Sequence, residues 1–506
     1  MTNWLPQIPD GQGPIYLRLA DQISADIASG ALTAGTKLPP QRDLAYDLGV
    51  TVGTIGRAYA TIRQRGLVNG EVGRGTYVLG SAEPIQLQES TKPNLDAPAG
   101  NPAPSAPAVH QRTGDTSWVQ GAMQPPKDRA FAGTRIAVPH ESSIRFDSTS
   151  APEIGQAKLI AQITLDITRD HPHEIASYTR AVPPDWRAAG KIWLSRGGWE
   201  PDEGSIVPTT GAQAAIMSII AATTAPGDRI AFEDLTYSSI ARGAALSGRR
   251  PVLVERDEEG PLPEDLARVC AQTHPRILFL MPTMHNPTTG FMSETRRHEL
   301  IEVARQHNLW IIEDEVYGSL RDTPVPPVVS LAPERTFHVG SLSKSVTAGV
   351  RGGWLSSPQS YAQRIYTAHK MLTGGISFLL SELSSRLILS GAASDFREKV
   401  GAEIAARHAL VRQHLSPFEY RSAADCPFLW LKVPEPWNPG TFKAAAAAEN
   451  VLVDDEDEFK PGRTGKVYHC IRIGFSNPLT RDQTVEGLVA VRDLLNDNCA
   501  CYDSFE

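Results

Sequence analysis

Apolar residues between positions 14 and 79 first recur at helical spacing and then switch to strand spacing. Ile15, Leu19, Ile23 and Ile27 fall on one face, Pro14 suits the start of that helix, and Gly30 ends it. After Pro39-Pro40, Leu44 and Leu48 mark a second, short helix closed by Gly49. Thr51 suits the cap of a third helix whose inner face is Ile55, Tyr59 and Ile62. Leu67-Val68 and Thr76-Tyr77-Val78-Leu79 then read as two strands, with Gly70, Gly73, Arg74 and Gly75 at the hairpin tip. Residues 81–140 show no such periodicity. Pro93, Pro98, Pro102, Pro104 and Pro107 recur there, and the stretch reads as a semi-extended linker with a reach of about 3.1 Å per residue. From residue 141 onward, short β-branched runs alternate with amphipathic helices, which predicts an α/β domain built on a parallel sheet. The pattern divides the chain into 1–80, 81–140 and 141–506.

Helix, helix, turn, helix, β-wing is the order of a winged helix-turn-helix. The third helix turns Thr51, Thr54 and Arg57 away from its apolar stripe, where a recognition helix meets base edges. Arg42 and Arg74 suit contacts with phosphates or the minor groove. A net charge of −8 over 506 residues argues against a protein that coats polyanions, and leaves a local DNA-binding face open. The alternative is a small helical protein-interaction module with solvated arginines. Leu38-Pro39-Pro40-Gln41-Arg42-Asp43-Leu44-Ala45, Leu48-Gly49-Val50, Thr54-Ile55 through Tyr59, Gly66-Leu67-Val68 and Gly73-Arg74-Gly75-Thr76-Tyr77-Val78 together resemble the GntR family. That family usually has a serine where Pro40 stands and often an arginine where Val52 stands. The resemblance implies a double-stranded DNA operator as partner.

Composition bounds the rest. Hydrophobic residues make up 41% and charged residues 21%, as in ordinary soluble globular proteins, and the length allows two or three domains. The first residues carry neither a basic nor an apolar segment of a secretory signal, and no apolar run is long enough to span a bilayer. The five cysteines are scattered without metal-ligand spacing, so no metal site is expected, and the chain reads as reduced and cytoplasmic.

The α/β part carries a set of residues that pyridoxal 5'-phosphate chemistry demands. That chemistry needs a lysine amine, an anion beside the pyridine nitrogen, donors to the phenolate oxygen, a ring-stacking group and a phosphate cup. Lys344 in Gly340-Ser341-Leu342-Ser343-Lys344-Ser345 is the lysine. Asp314, after the apolar strand Leu309–Ile312, suits the pyridine nitrogen, and Tyr317 and Asn286 suit the phenolate oxygen. Gly211-Ala212-Gln213 opens a helix after the strand Ile206-Val207, giving backbone N–H groups for a phosphate. Ser341, Ser343 and Arg351 complete the cup, and Tyr237, after the strand Arg229–Phe232, stacks on the ring. Taken singly, each has an ordinary reading: Asp314 as a cap, Arg351 as a surface charge, Tyr237 as a core aromatic, Asn286-Pro287 as a turn.

The ordered series Gly211, Tyr237, Asn286, Asp314, Tyr317, Ser341, Lys344, Arg351 is similar to the fold-type I, class I/II aminotransferases. The resemblance implies a fold-type I transferase with a smaller α+β subdomain from about residue 375 to the C-terminus. It makes Lys344, Asp314 and Tyr317 catalytic in type, and Arg472, in Ile471-Arg472-Ile473, the receptor for a substrate or effector carboxylate. A strand-edge arginine paired with an acidic side chain is the alternative for Arg472. Tyr178 resembles the family tyrosine that reaches the neighbouring subunit's phosphate, which implies a homodimer. The acidic run Asp454-Asp455-Glu456-Asp457-Glu458 reads as a solvated loop, with a place at the mouth of the site as the alternative. A GntR-like head joined by a linker to such a domain resembles the MocR subfamily of transcription regulators. That resemblance implies an amino-acid-like effector that forms an external aldimine by displacing Lys344. The competing reading is a catalytically active aminotransferase with an appended DNA-binding head, since the chain keeps a complete catalytic set.

Overall fold

The computed structural model describes residues 4, 6, 14–39, 44, 45, 47, 48, 50, 52–71, 75–79, 143–462 and 464–496. The chain divides into two compact units, Met1–Thr116 and Ser117–Glu506. The expected linker, 81–140, lies outside the described residues.

In the first unit, helix α1 (Ile15–Ala28) packs against helix α2 (Val52–Gln64). Strands β1 (Val68–Glu71) and β2 (Gly75–Val78) form an antiparallel hairpin with Val68 opposite Val78. Leu19, Ile23, Leu44, Ile55, Tyr59 and Ile62 are all buried in one core. The Tyr59 hydroxyl donates to the Pro39 carbonyl at 2.9 Å, anchoring the approach to the Leu44 segment. Ile15, expected on the inner face of α1, is instead 42% exposed, because it stands at the helix start beyond the reach of the core.

The second unit opens with β3 (Ile144–Arg145) and is centred on a seven-stranded sheet. Its strands are β4 (Ile206–Thr209), β5 (Arg229–Glu233), β6 (Arg250–Val254), β7 (Ile277–Leu280), β8 (Trp310–Asp314), β9 (Thr336–Ser341) and β10 (Gly353–Ser356). Their order across the sheet is β4-β10-β9-β8-β7-β5-β6, and β10 alone runs against the others. All six residues of β9 and all four of β7 are buried; β7 accordingly reads as a continuous apolar run, Ile277-Leu278-Phe279-Leu280, whereas β9 buries Thr336, His338 and Ser341 among its apolar residues. Helix α3 (Ala212–Thr223) follows β4 and helix α4 (Ser238–Leu246) follows β5, so the loops leaving the parallel strands gather along one edge. Helix α5 (Ala362–Thr373) packs on α3.

Past helix α6 (Ala392–Leu415), a four-stranded antiparallel sheet forms a second layer with helix α7 (Arg481–Asn496). It contains β11 (Tyr420–Arg421), β12 (Leu429–Lys432), β14 (Asp454–Asp455) and β15 (Cys470–Ile473), in the order β11-β12-β15-β14. The short β13 (Val451–Leu452) pairs in parallel with β3 and ties the start of the unit to this layer. The acidic run is not a solvated loop. Its first two residues are the edge strand β14, and Asp454 and Glu456 are 1% and 4% exposed. The cause is pairing: β14 lies against β15 with Asp454 opposite Arg472, and Glu456 accepts the Tyr468 N–H at 2.9 Å.

Candidate functional site

Each loop leaving the sheet brings one group to the same place. The turn after β4 passes through Gly211, whose φ of 93° is open to glycine at little cost, and α3 begins at the next residue. A Cβ on Gly353, at the start of β10, would stand 2.8 Å from the Gly211 Cα, so strand and turn meet backbone to backbone. His369 of α5 holds this turn from behind. Burial pushes His369 down to about 4, so its neutral Nε2 accepts the Thr210 N–H at 3.1 Å. Tyr237 sits at the N-cap of α4, Asn286 follows β7, Asp314 ends β8, and Lys344 lies three residues past β9.

Gly211, Ala212, Gln213, Tyr237, Asn286, Asp314, Tyr317, Ser341, Ser343, Lys344 and Arg351 all line one cavity of about 200 Å³. Tyr237, Asn286, Tyr317 and Lys344 also line an adjoining cavity of about 340 Å³, which adds Arg242, Asp454, Glu458, Phe459 and Arg472. Tyr178 lines neither. It is 89% exposed, on a separate groove of about 730 Å³ beside Lys370 and Gly374. In the first unit, Thr54 is half-buried and Arg57 exposed on α2, with the Arg57 guanidinium 5.9 Å from the Tyr16 ring. Arg42, Thr51 and Arg74 lie outside the described residues.

The charges are set by burial. Lys344 Nζ donates to Thr149 Oγ1 at 3.1 Å and lies 5.4 Å from the Tyr317 ring, and burial lowers it to about 8. Burial raises the Asp314 carboxyl to about 7 against the pull of the Val316 N–H, which it accepts at 3.2 Å. Tyr317 is pushed up to about 12 by the same cause, and its hydroxyl shares a 2.6 Å hydrogen bond with Thr149. Thr149 therefore links the amine and the phenol, and sequence reasoning missed it. A lone threonine in Ser148-Thr149-Ser150 has no spacing or period to mark it.

Arg472 is buried between two aromatic rings, 4.8 Å from Phe459 and 5.8 Å from Phe428, and burial lowers its pKa. Its Nη1 donates to Asn286 Oδ1 at 2.9 Å, and its Nη2 to the Asp147 carbonyl at 3.1 Å and to Asp454 Oδ2 at 2.5 Å. The bond to Oδ1 leaves the Asn286 NH2 group to face the cavity.

Residues 177–484 match the family model for aminotransferase class I and II, and residues 15–78 match that of the bacterial regulatory proteins of the gntR family. The HTH-type transcriptional regulator YdeF of Bacillus subtilis is 30% identical over 499 residues, covering 98% of this chain and 97% of that protein. The chain belongs to the MocR-type regulators, a GntR head fused to an aminotransferase class I/II domain. The vitamin B6 salvage pathway transcriptional repressor PtsJ of Salmonella typhimurium is 28% identical over 367 residues, 72% of each chain. In fold, the second unit is similar to LysN, an alpha-aminoadipate aminotransferase of Thermus thermophilus, with a TM-score of 0.63 and 22% identity over 70% of this chain and 92% of that one.

For a MocR-type regulator the head implies DNA binding, and the aminotransferase domain implies pyridoxal 5'-phosphate. The cavity fits that cofactor on three counts. Asp314 is a buried carboxylate whose one hydrogen bond among the described groups is to a backbone N–H, so it suits a protonated ring nitrogen. The start of α3, Ser341, Ser343 and Arg351 bring donors to one end, as a phosphate needs. Lys344 projects between them with its amine weakly held. No helix among the described residues is long and apolar enough to cross a membrane.

Proposed function

We propose that the protein senses an amino-acid-like effector at Lys344 and reports it to an operator bound by the head. The observation that carries this reading is the meeting of Lys344, Asp314, Asn286 and Tyr317 in one cavity that adjoins Arg472, on a chain with a GntR head. Bound pyridoxal 5'-phosphate supplies a carbonyl carbon on which amines exchange and a ring that draws electrons from it. Asp314 holds the proton at the ring nitrogen, Asn286 Nδ2 and the Tyr317 hydroxyl donate to the phenolate oxygen, and Tyr237 covers the ring. The α3 N–H groups, Ser341, Ser343 and Arg351 bind the phosphate. Lys344 Nζ, near 8 rather than in the usual lysine range, keeps a neutral fraction at neutral pH and so would be able to hold the cofactor through its carbonyl carbon. Arg472 receives the effector's carboxylate. The name of PtsJ, a vitamin B6 pathway repressor, agrees with a regulator tied to this cofactor.

In this reading residues 1–80 bind DNA through Arg42, Thr51, Thr54, Arg57 and Arg74, 81–140 is the linker, and 141–506 is the sensor in a cytoplasmic protein. Two sensors pair as a homodimer, which the exposed Tyr178, Met371 and Leu372 support. The test is spectroscopic. The purified protein is expected to show an absorbance band of bound cofactor that Lys344→Ala abolishes, and an amine that shifts the band is expected to change operator affinity. A colourless wild type saturated with cofactor, or a band-shifting amine without effect on DNA, defeats the proposal. The second reading, an active aminotransferase, draws on the complete set around Lys344. Multi-turnover amino transfer to a 2-oxo acid with no specific DNA footprint would favour it.

A further inference from the structure

Arg472, the expected carboxylate receptor, already grips a carboxylate of its own chain. A guanidinium has five N–H groups, and a carboxylate held in two parallel bonds takes them either from Nη1 and Nη2 or from Nε and Nη2. Both forks need Nη2. In this site Nη2 has given both hydrogens, one to the Asp147 carbonyl and one to Asp454 Oδ2. Nη1 is bonded to Asn286, and Nε is buried without a hydrogen-bond partner among the described residues. Phe459 and Phe428 flank the guanidinium, so an incoming carboxylate must approach along its edge. The Asp147 carbonyl is backbone and cannot leave without moving the chain. Asp454 reaches across from the edge strand β14, directly opposite Arg472 in the β14–β15 register, and can withdraw by side-chain rotation.

We propose that Asp454 is a specificity-determining residue of this site, holding the Arg472 fork until a ligand carboxylate displaces it. The proposal rests on Arg472 receiving the effector's carboxylate. Its consequence is that the ligand's carboxylate replaces one buried ion pair by another while Asp454 gives up its bond to Arg472. The carboxylate therefore adds little net affinity in the wild type, and removing the Asp454 charge restores what it would otherwise contribute.

The experiment uses the full-length protein loaded with pyridoxal phosphate. L-Alanine and ethylamine, which differ only by the carboxylate, are titrated against the cofactor absorbance and, independently, by calorimetry. The wild type is expected to bind the two within about tenfold of one another, and Asp454→Asn to tighten alanine by about tenfold or more while ethylamine changes less than about twofold. Asparagine keeps the size and a neutral acceptor, so Arg472 retains a partner. Unchanged, weaker or undetectable alanine binding in Asp454→Asn overturns the proposal. When Arg472→Gln still weakens alanine in that case, the receptor reading survives and only the competition fails. When Arg472→Gln leaves both probes unaffected, the receptor reading falls, and the proposal with it. Should Asp454→Asn not fold, a wild-type preference for alanine over ethylamine above about a hundredfold would overturn the proposal by itself.

Discussion

Asp314 shows how one residue ties the site to the stability of the whole chain. Its folded carboxyl sits near 7, against an ordinary value of 3.8, because burial opposes ionisation. Between those values the folded state binds more protons than the unfolded state. The associated stability is complete below the ordinary value and is lost as pH rises through about 7. Its upper bound is on the order of 4 kcal/mol. In cofactor-free protein, Asp314→Asn is therefore expected to melt above the wild type at pH 8, with the gap closing toward pH 5. Melting scans across that range check it, and a gap independent of pH removes the assignment of the shift to Asp314. The same variant is expected to bind the cofactor more weakly, because it no longer answers a protonated ring nitrogen.

At the scale of elements, the site depends on how closely β10 approaches the turn into α3. A methyl on Gly353 meets Gly211 backbone at 2.8–3.1 Å, where no flexible side chain can give way. Gly353→Ala is expected to cost about 1–3 kcal/mol and to weaken cofactor binding, since the phosphate end of the cavity moves with the turn. Gly401, inside α6, has nothing within 4 Å of its added Cβ. Gly401→Ala is expected to stabilise by about 0.5–1 kcal/mol with no change in the cofactor band. Paired thermal melts and cofactor titrations separate the two. The element boundaries were largely legible in the sequence. The apolar runs at Ile277 and Leu309 are strands β7 and β8, and Gly211 opens α3, because buried strands and helix starts leave local marks. Ile15 and the acidic run misled for a shared reason: hydropathy reports a residue's preference, whereas burial depends on which element packs over it.

For the molecule as a whole, the sensing proposal makes a thermodynamic demand. If an amine changes operator affinity by some factor, operator DNA must change amine affinity by the same factor. Titrating the cofactor band with and without DNA measures this, and an amine affinity indifferent to DNA ends the sensing reading. Arg57→Ala is expected to weaken operator binding about tenfold and to relax the preference for the operator over other sequences, leaving the cofactor band unchanged. Arg472→Gln is expected to do the reverse, keeping effector-free DNA binding and losing the response.

The order of groups along the chain, from Gly211 through Lys344 to Arg351, was determined by the sequence alone. Gly211, Tyr237, Asp314 and Ser341 stand at the end of a strand or the start of a helix and the others in the turns that follow or precede one, and such positions are written locally. What only the tertiary structure decided are the contacts among distant segments: Thr149 under Lys344 and Tyr317, 195 and 168 residues away, and Arg472 bonded to Asn286 across 186 residues. The pairing of Arg472 with Asp454 belongs with them. Both residues are plain in the sequence, but only the β14–β15 register sets an acidic side chain against the guanidinium and removes both from water.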